Sequence, residues 1–202
     1  GTTADGEAVH IEMRVSPQPY LSVVSSYSGE GADTQDDARV PPPSNGIPDP
    51  HDIVLTKEVY APGERITGNW TTRNTGTANT NGRNWDDAVA LSRDPFYERN
   101  EDIWMGSHIY HPSRAMPPYR SPATGDVNED GQHRFEENRT TERVIPADIE
   151  PGEYYVLIVA DTHGFATAGQ GAGFLSRATR AGIGIYRNTI TVEERVPADL
   201  ET

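Results

Sequence analysis

"IPADIEPGEYYVLIVAD", Ile145–Asp161, decides the fold. In an extended chain, Tyr155, Leu157 and Val159 share one face, and Tyr154, Val156, Ile158 and Ala160 share the other. Both faces are apolar, so this strand must lie centrally in a sheet and be covered on both sides. Pro151 and Gly152 just ahead of it form the pairing that a type II turn needs, and "APGE" (Ala61–Glu64) repeats it.

Working outward, period-2 patterns recur. "VHIEMRV" (Val9–Val15), "ERITGNWTTRN" (Glu64–Asn74), "DDAVALS" (Asp86–Ser92), "HRFEENRTTERVI" (His133–Ile145) and "NTITVEERV" (Asn188–Val196) read as strands. Trp70 shares parity with Ile66, which makes it a core anchor. No stretch keeps a helical period for a dozen residues; "AGFLSRATRAG" (Ala172–Gly182) comes nearest and reads as a short helix or an ordered loop. Short strands between turn signals predict an all-β, antiparallel β-sandwich with long loop insertions. The insertions fall at about 28–52, where Pro41–Pro43 stand in a row, at 111–131, and in the Gly-rich 163–186 segment.

Composition narrows the function. The 202 residues carry a net charge of -14, with a pI near 4.7. Nucleic-acid partners are disfavoured, because they call for clustered Lys and Arg, and so is adhesion to anionic membranes. The acid suits solubility in salt or divalent-cation binding. Lys57 is the single lysine among 17 basic residues, which reads as a habitat bias. Cysteine is absent, which excludes disulfides, Cys-ligated zinc and thiol nucleophiles. No apolar run approaches the ~18 residues of a membrane helix, and no signal peptide is visible.

The ends resemble each other. "IEMRVSPQPYLSVV" (Ile11–Val24) and "VEERVPADLET" (Val192–Thr202) share Arg-Val and then a Pro-containing hinge. That suggests one module cut from a tandem array: residues 1–18 from a preceding module or linker, 19–196 the sandwich, 197–202 the start of the next.

The order of motifs adds a family. "YAPGERITGNWTTRNTGTANT" (Tyr60–Thr80), "DDAVALSRDPFYERNEDIWMGS" (Asp86–Ser107), "IPADIEPGEYYVLIVAD" and "NTITV" (Asn188–Val192) together resemble CARDB domains, the bacterial cell-adhesion-related family. The resemblance spans about Pro19–Val196 and implies an immunoglobulin-like sandwich from a bacterial surface or secreted protein, acting as a spacer or a ligand-presenting module. It brings no catalytic residues. The chain departs from the family pattern in its three insertions, where a specialised function is expected.

Several acidic stretches suggest metal. "GDVNEDGQHRFEE" (Gly125–Glu137) fills every fixed place of an EF-hand loop. Yet "PPYRSPATG" before it is no helix, and a strand after it would carry Glu137 some 20 Å away, at about 3.3 Å per residue. Either Asp126, Asn128 and Asp130 form a shorter calcium turn, or they are a plain acidic turn. "RDPFYERNEDIW" (Arg93–Trp104) offers Asp94, Asn100 and Asp102 as a second calcium set, along with Glu98 and Glu101. "NWDD" (Asn84–Asp87) and "DTQDD" (Asp33–Asp37) are weaker candidates. His108 and His111 would face opposite sides of a strand, which disfavours zinc. Neither G-x-S-x-G, H-E-x-x-H nor a P-loop appears, and nothing fixes Asp161, His163 and Ser176 as a triad, so no enzyme is expected. The sequons at Asn69 and Asn138 are irrelevant in a bacterial source.

The expectation is therefore a non-catalytic extracellular or cell-surface module of a bacterial adhesin or surface protein. Calcium-organised loops would hold a peptide or glycan on a cell surface, with Tyr110, Tyr119 and Phe174 as contact residues. The alternative is a spacer that meets only neighbouring modules of its own chain.

Overall fold

The computed structural model describes residues 21–23, 25, 52–74, 79–80, 84–98, 100–111, 115–117, 136–162 and 182–195. The expected strand at Val9–Val15, both terminal segments, and most of the three insertions lie outside these residues.

Among the described residues, ten strands form two sheets. Sheet one has β4 (Arg65–Asn74) at its centre. β7 (Glu136–Val144) pairs along one edge of β4 for nine residues, from Arg65↔Val144 to Arg73↔Glu136. β1 (Leu21–Val23) and β2 (Val54–Leu55) share the other edge. Sheet two runs in the order β3 (Val59–Tyr60), β10 (Ile190–Val192), β8 (Gly152–Val159), β5 (Trp85–Ser92), β6 (Ile103–Tyr110). β9 (Ile183–Ile185) continues the line of β10 along the same edge of β8. Among the described strands, the β3–β10 pair is parallel and every other pair is antiparallel. The chain thus passes from β1 and β2 beside β4 in one sheet to β3 beside β10 in the other, which closes that side of an immunoglobulin-like β-sandwich.

β8 is central, as its two apolar faces require. Tyr154, Val156, Ile158 and Ala160 enter the main core with Ile66, Trp70, Trp85, Val89 and Ile190. Leu157, on the opposite face, is fully buried and clusters with Ala90 and Ile185, against which Tyr97, Tyr155 and Ile183 pack. The Tyr154 hydroxyl donates to the Glu150 carbonyl at 2.7 Å, the tyrosine corner that pins the connection into this strand in immunoglobulin-like sandwiches.

The two Pro-Gly turns differ. Gly63 has φ +83 and Glu64 N–H donates to the Ala61 carbonyl at 3.0 Å, which is a type II turn. Gly152 has φ +137, outside the type II value, and is already the first residue of β8. Glycine suits this position because L side chains rarely adopt that angle, and the end of the Arg93 side chain lies against it. The Arg93 guanidinium donates to the carbonyls of Glu150, Pro151 and Glu153 and stacks on the Tyr154 ring at 3.9 Å.

The Gly-rich segment read as one loop to residue 186 ends in β9. A Cβ at Gly184 would meet Val23 Cγ1, Val23 Cβ (2.7 Å) and Ile53 Cδ1 (3.1 Å). Glycine here permits the close approach of β9 to β1, not an unusual backbone angle. On the far edge, β6 carries a bulge: Ala88↔Ser107 and Ala90↔Trp104 leave one extra residue in β6, and Gly106 takes φ +105 there. A bulge on an edge strand discourages pairing with other chains.

Candidate functional site

Strand directions sort the connections. Asn74, Trp85, Tyr110, Glu136, Val159 and Ile183 lie at one pole of the sandwich, as their registers show. The connections 75–84, 111–135 and 160–182 therefore all begin and end there. The other pole holds the Ala61–Glu64 turn, the 93–102 turn and the 145–151 connection.

A buried polar network locks the strands beneath the first pole. Asp87, wholly buried on β5, accepts from Trp70 Nε1 (3.1 Å) and Thr72 Oγ1 (2.7 Å) on β4 and from Arg139 Nε (3.2 Å) on β7. Its other oxygen receives the Asp161 N–H at 3.4 Å, and Arg139 also donates to the His108 carbonyl on β6 at 3.4 Å. One carboxylate thus ties β5 to β4 and β7, two strands of the facing sheet. Such a charge is retained in a core only when paired and hydrogen-bonded. Nearby, Asn74 Nδ2 donates to the Met116 carbonyl at 2.9 Å, and Thr80 and Met116 exchange bonds through Thr80 N–H (3.1 Å) and Thr80 Oγ1 (2.9 Å). Asp161 closes the cluster with φ +48, a left-handed angle that Asp tolerates better than most residues. "NWDD" had offered these acids as candidate metal ligands; Asp86 and Asp87 are instead buried, and Asp87 is occupied by donors distant in sequence.

Asp94, Asn100 and Asp102 sit at the opposite pole, beyond the Ser92 end of β5, which lies five residues (about 17 Å) along the strand from Asp87. Asp94 Oδ1 accepts the Phe96 N–H at 2.9 Å and Asp102 Oδ2 accepts the Glu98 N–H at 2.6 Å, so both carboxylates cap the turn. Asn100 is exposed. A hydrogen bond that the protonated Glu98 carboxyl donates to the Glu101 carboxylate raises the Glu98 pKa above the carboxylate norm, with like-charge repulsion adding to it. Burial raises that of Asp102. Among the described residues, no three His, Asp or Glu side chains converge on a metal-sized site. Tyr110 ends β6, paired with Trp85 at the first pole. Asp126, Asn128, Asp130, Tyr119 and Phe174 lie outside the described residues. His108 and His111 are both exposed.

No protein-family model matches the chain, and no curated protein does. Solved structures similar to it include the CARDB domain of the PF1109 protein from Pyrococcus furiosus, in complex with di-metal ions. Identity is 8% and the TM-score 0.39, over 92% of this chain and 100% of that one. They also include Spo0M, the sporulation control protein of Bacillus subtilis (17% identity, TM-score 0.37, 71% of this chain and 49% of that one). A third is β-glucosidase 3B of Thermotoga neapolitana (14%, 0.35, 71% and 15%). The similar structures thus include the family that the motif order resembles. At these scores the likeness carries no argument about this chain's chemistry. Among the described residues no helix is long and apolar enough to cross a membrane.

Proposed function

We propose that the chain is a non-catalytic extracellular module of a bacterial adhesin or surface protein that holds a peptide or glycan at the pole of the long connections. The observation that carries this reading is the convergence of 75–84, 111–135 and 160–182 on one pole, above strands fixed by the Asp87 network. Binding loops on a rigid sandwich end are the usual arrangement of immunoglobulin-type recognition. Asp126, Asn128 and Asp130 belong to the second of these connections, so calcium held there would order the binding pole itself. Asp94, Asn100 and Asp102 belong to the other pole, where calcium would stiffen a turn and leave the ligand end untouched.

Thermal unfolding with calcium in excess and then with chelator tests the metal, because a cation that prefers the native state raises Tm. The expected rise is several degrees, abolished by Asp126→Ala; an unchanged Tm removes calcium from the reading. A glycan and peptide screen with calcium present then tests the ligand. A spacer is the second reading. It is favoured by the course of the chain, which enters β1 opposite Asn74 at one pole and leaves β10 opposite Gly152 at the other. Absence of any hit in the screen, with Tm insensitive to calcium, would decide for it.

A further inference from the structure

β3 and β10 are parallel neighbours that lie between the two ends of the described chain. Force applied to those ends draws β3 toward the first pole and β10 toward the second. The strands are then asked to slide past each other, so every bond across the pair is stretched together. A hairpin opened from its free end would instead lose its bonds one at a time.

We propose that the sandwich bears tension along its long axis, with the β3–β10 pair and the Glu58 side chain as its clamp. Thr191 N–H donates to the Glu58 carbonyl at 2.7 Å and Glu193 N–H to the Tyr60 carbonyl at 2.9 Å. Glu58 Oε1 accepts from Tyr186 Oη at 2.9 Å and from Asn188 Nδ2 at 2.6 Å. Residues 58–60 are thus bonded to 186–193 by backbone and side chain alike. Tyr60 anchors β3 from below: its ring is wholly buried, and its hydroxyl donates to the Lys57 carbonyl at 2.8 Å. Ahead of the clamp, β1 and β2 slide along β4 in the same direction.

The proposal rests on the reading that the chain belongs to a longer surface protein, and it holds for a binding module and a spacer alike. The isolated chain's response to force does not depend on where its parent resides, so either reading can fail without the other. The test stretches the whole 202-residue chain at constant force. Because cysteine is absent, one cysteine added at each end gives unique attachment points. Forced unfolding reads the unfolding rate directly. Glu58→Ala and Thr191→Pro, which remove bonds of the clamp, are expected to shorten the lifetime under tension by about tenfold more than they shorten it at zero force. Arg139→Met, which weakens the core away from the clamp, should shorten both lifetimes by the same factor. If Thr191→Pro does not fold, Glu58→Ala decides, since it alters only an exposed side chain. Equal shortening with and without force for Glu58→Ala, or a force-specific effect of Arg139→Met, would overturn the proposal.

Discussion

Replacing Asp87 with alanine removes the acceptor of four buried donors: Trp70 Nε1, Thr72 Oγ1, Arg139 Nε and the Asp161 N–H. Each buried donor left unsatisfied costs about 1–3 kcal/mol. Breaking a buried ion pair from one side costs about 3–5 kcal/mol, and Arg139 is 5% exposed. Arg139 keeps the His108 carbonyl, which offsets part of its loss. The expected loss for Asp87→Ala is therefore about 4 kcal/mol, a large fraction of the roughly 5–15 kcal/mol that stabilises a domain. Arg139→Met should cost less, about 2 kcal/mol, because Asp87 retains Trp70, Thr72 and the Asp161 N–H. The double variant should cost less than the two singles together, by about 1–2 kcal/mol, since the second change no longer strands a charge. Urea unfolding of all four proteins at neutral pH closes the cycle. Additivity to within about 0.5 kcal/mol would refute the coupling, and a loss below about 1 kcal/mol for Asp87→Ala would refute the network's role.

Gly184→Ala places a methyl against Val23 and Ile53 and should cost about 1–3 kcal/mol by overpacking, read as a lower Tm. Tyr154→Phe removes the bond to the Glu150 carbonyl and should cost about 1 kcal/mol in urea unfolding. The Glu58 pKa is lowered by its bonds to Asn188 and Tyr186, so its contribution is complete above the ordinary value of 4.5 and is lost as pH falls through the lower folded value; acid titration of Glu58→Gln should show a shallower loss of stability there. Glu98 has the opposite sign: its raised pKa means that ionisation opposes folding as pH rises, so Glu98→Gln should raise the Tm at neutral pH and leave it unchanged in acid.

The sequence by itself determined the framework. The two apolar faces of Tyr154–Ala160 required a central, doubly covered strand, and β8 is one. Trp70 and Ile66 are buried together, as their shared parity demands, and "APGE" makes the type II turn that its Pro-Gly pair encodes. These are local properties, set by period 2 and by the φ range of single residues. The tertiary structure alone decided what lies between distant segments. Two adjacent aspartates in "NWDD" look like solvated acid or metal ligands; Asp87 became a core residue because β4 and β7 bring Trp70, Thr72 and Arg139 to it. Likewise "GIGIY" hid a strand at the end of a glycine-rich run, since only the approach of Val23 and Ile53 explains its central glycine. The passage of the chain from β1 beside β4 to β3 beside β10, and the separation of the 93–102 acids from the long connections, follow from pairing between strands distant in sequence. No local pattern encodes such pairing, because its free energy comes from burial and hydrogen bonds shared between residues far apart in sequence.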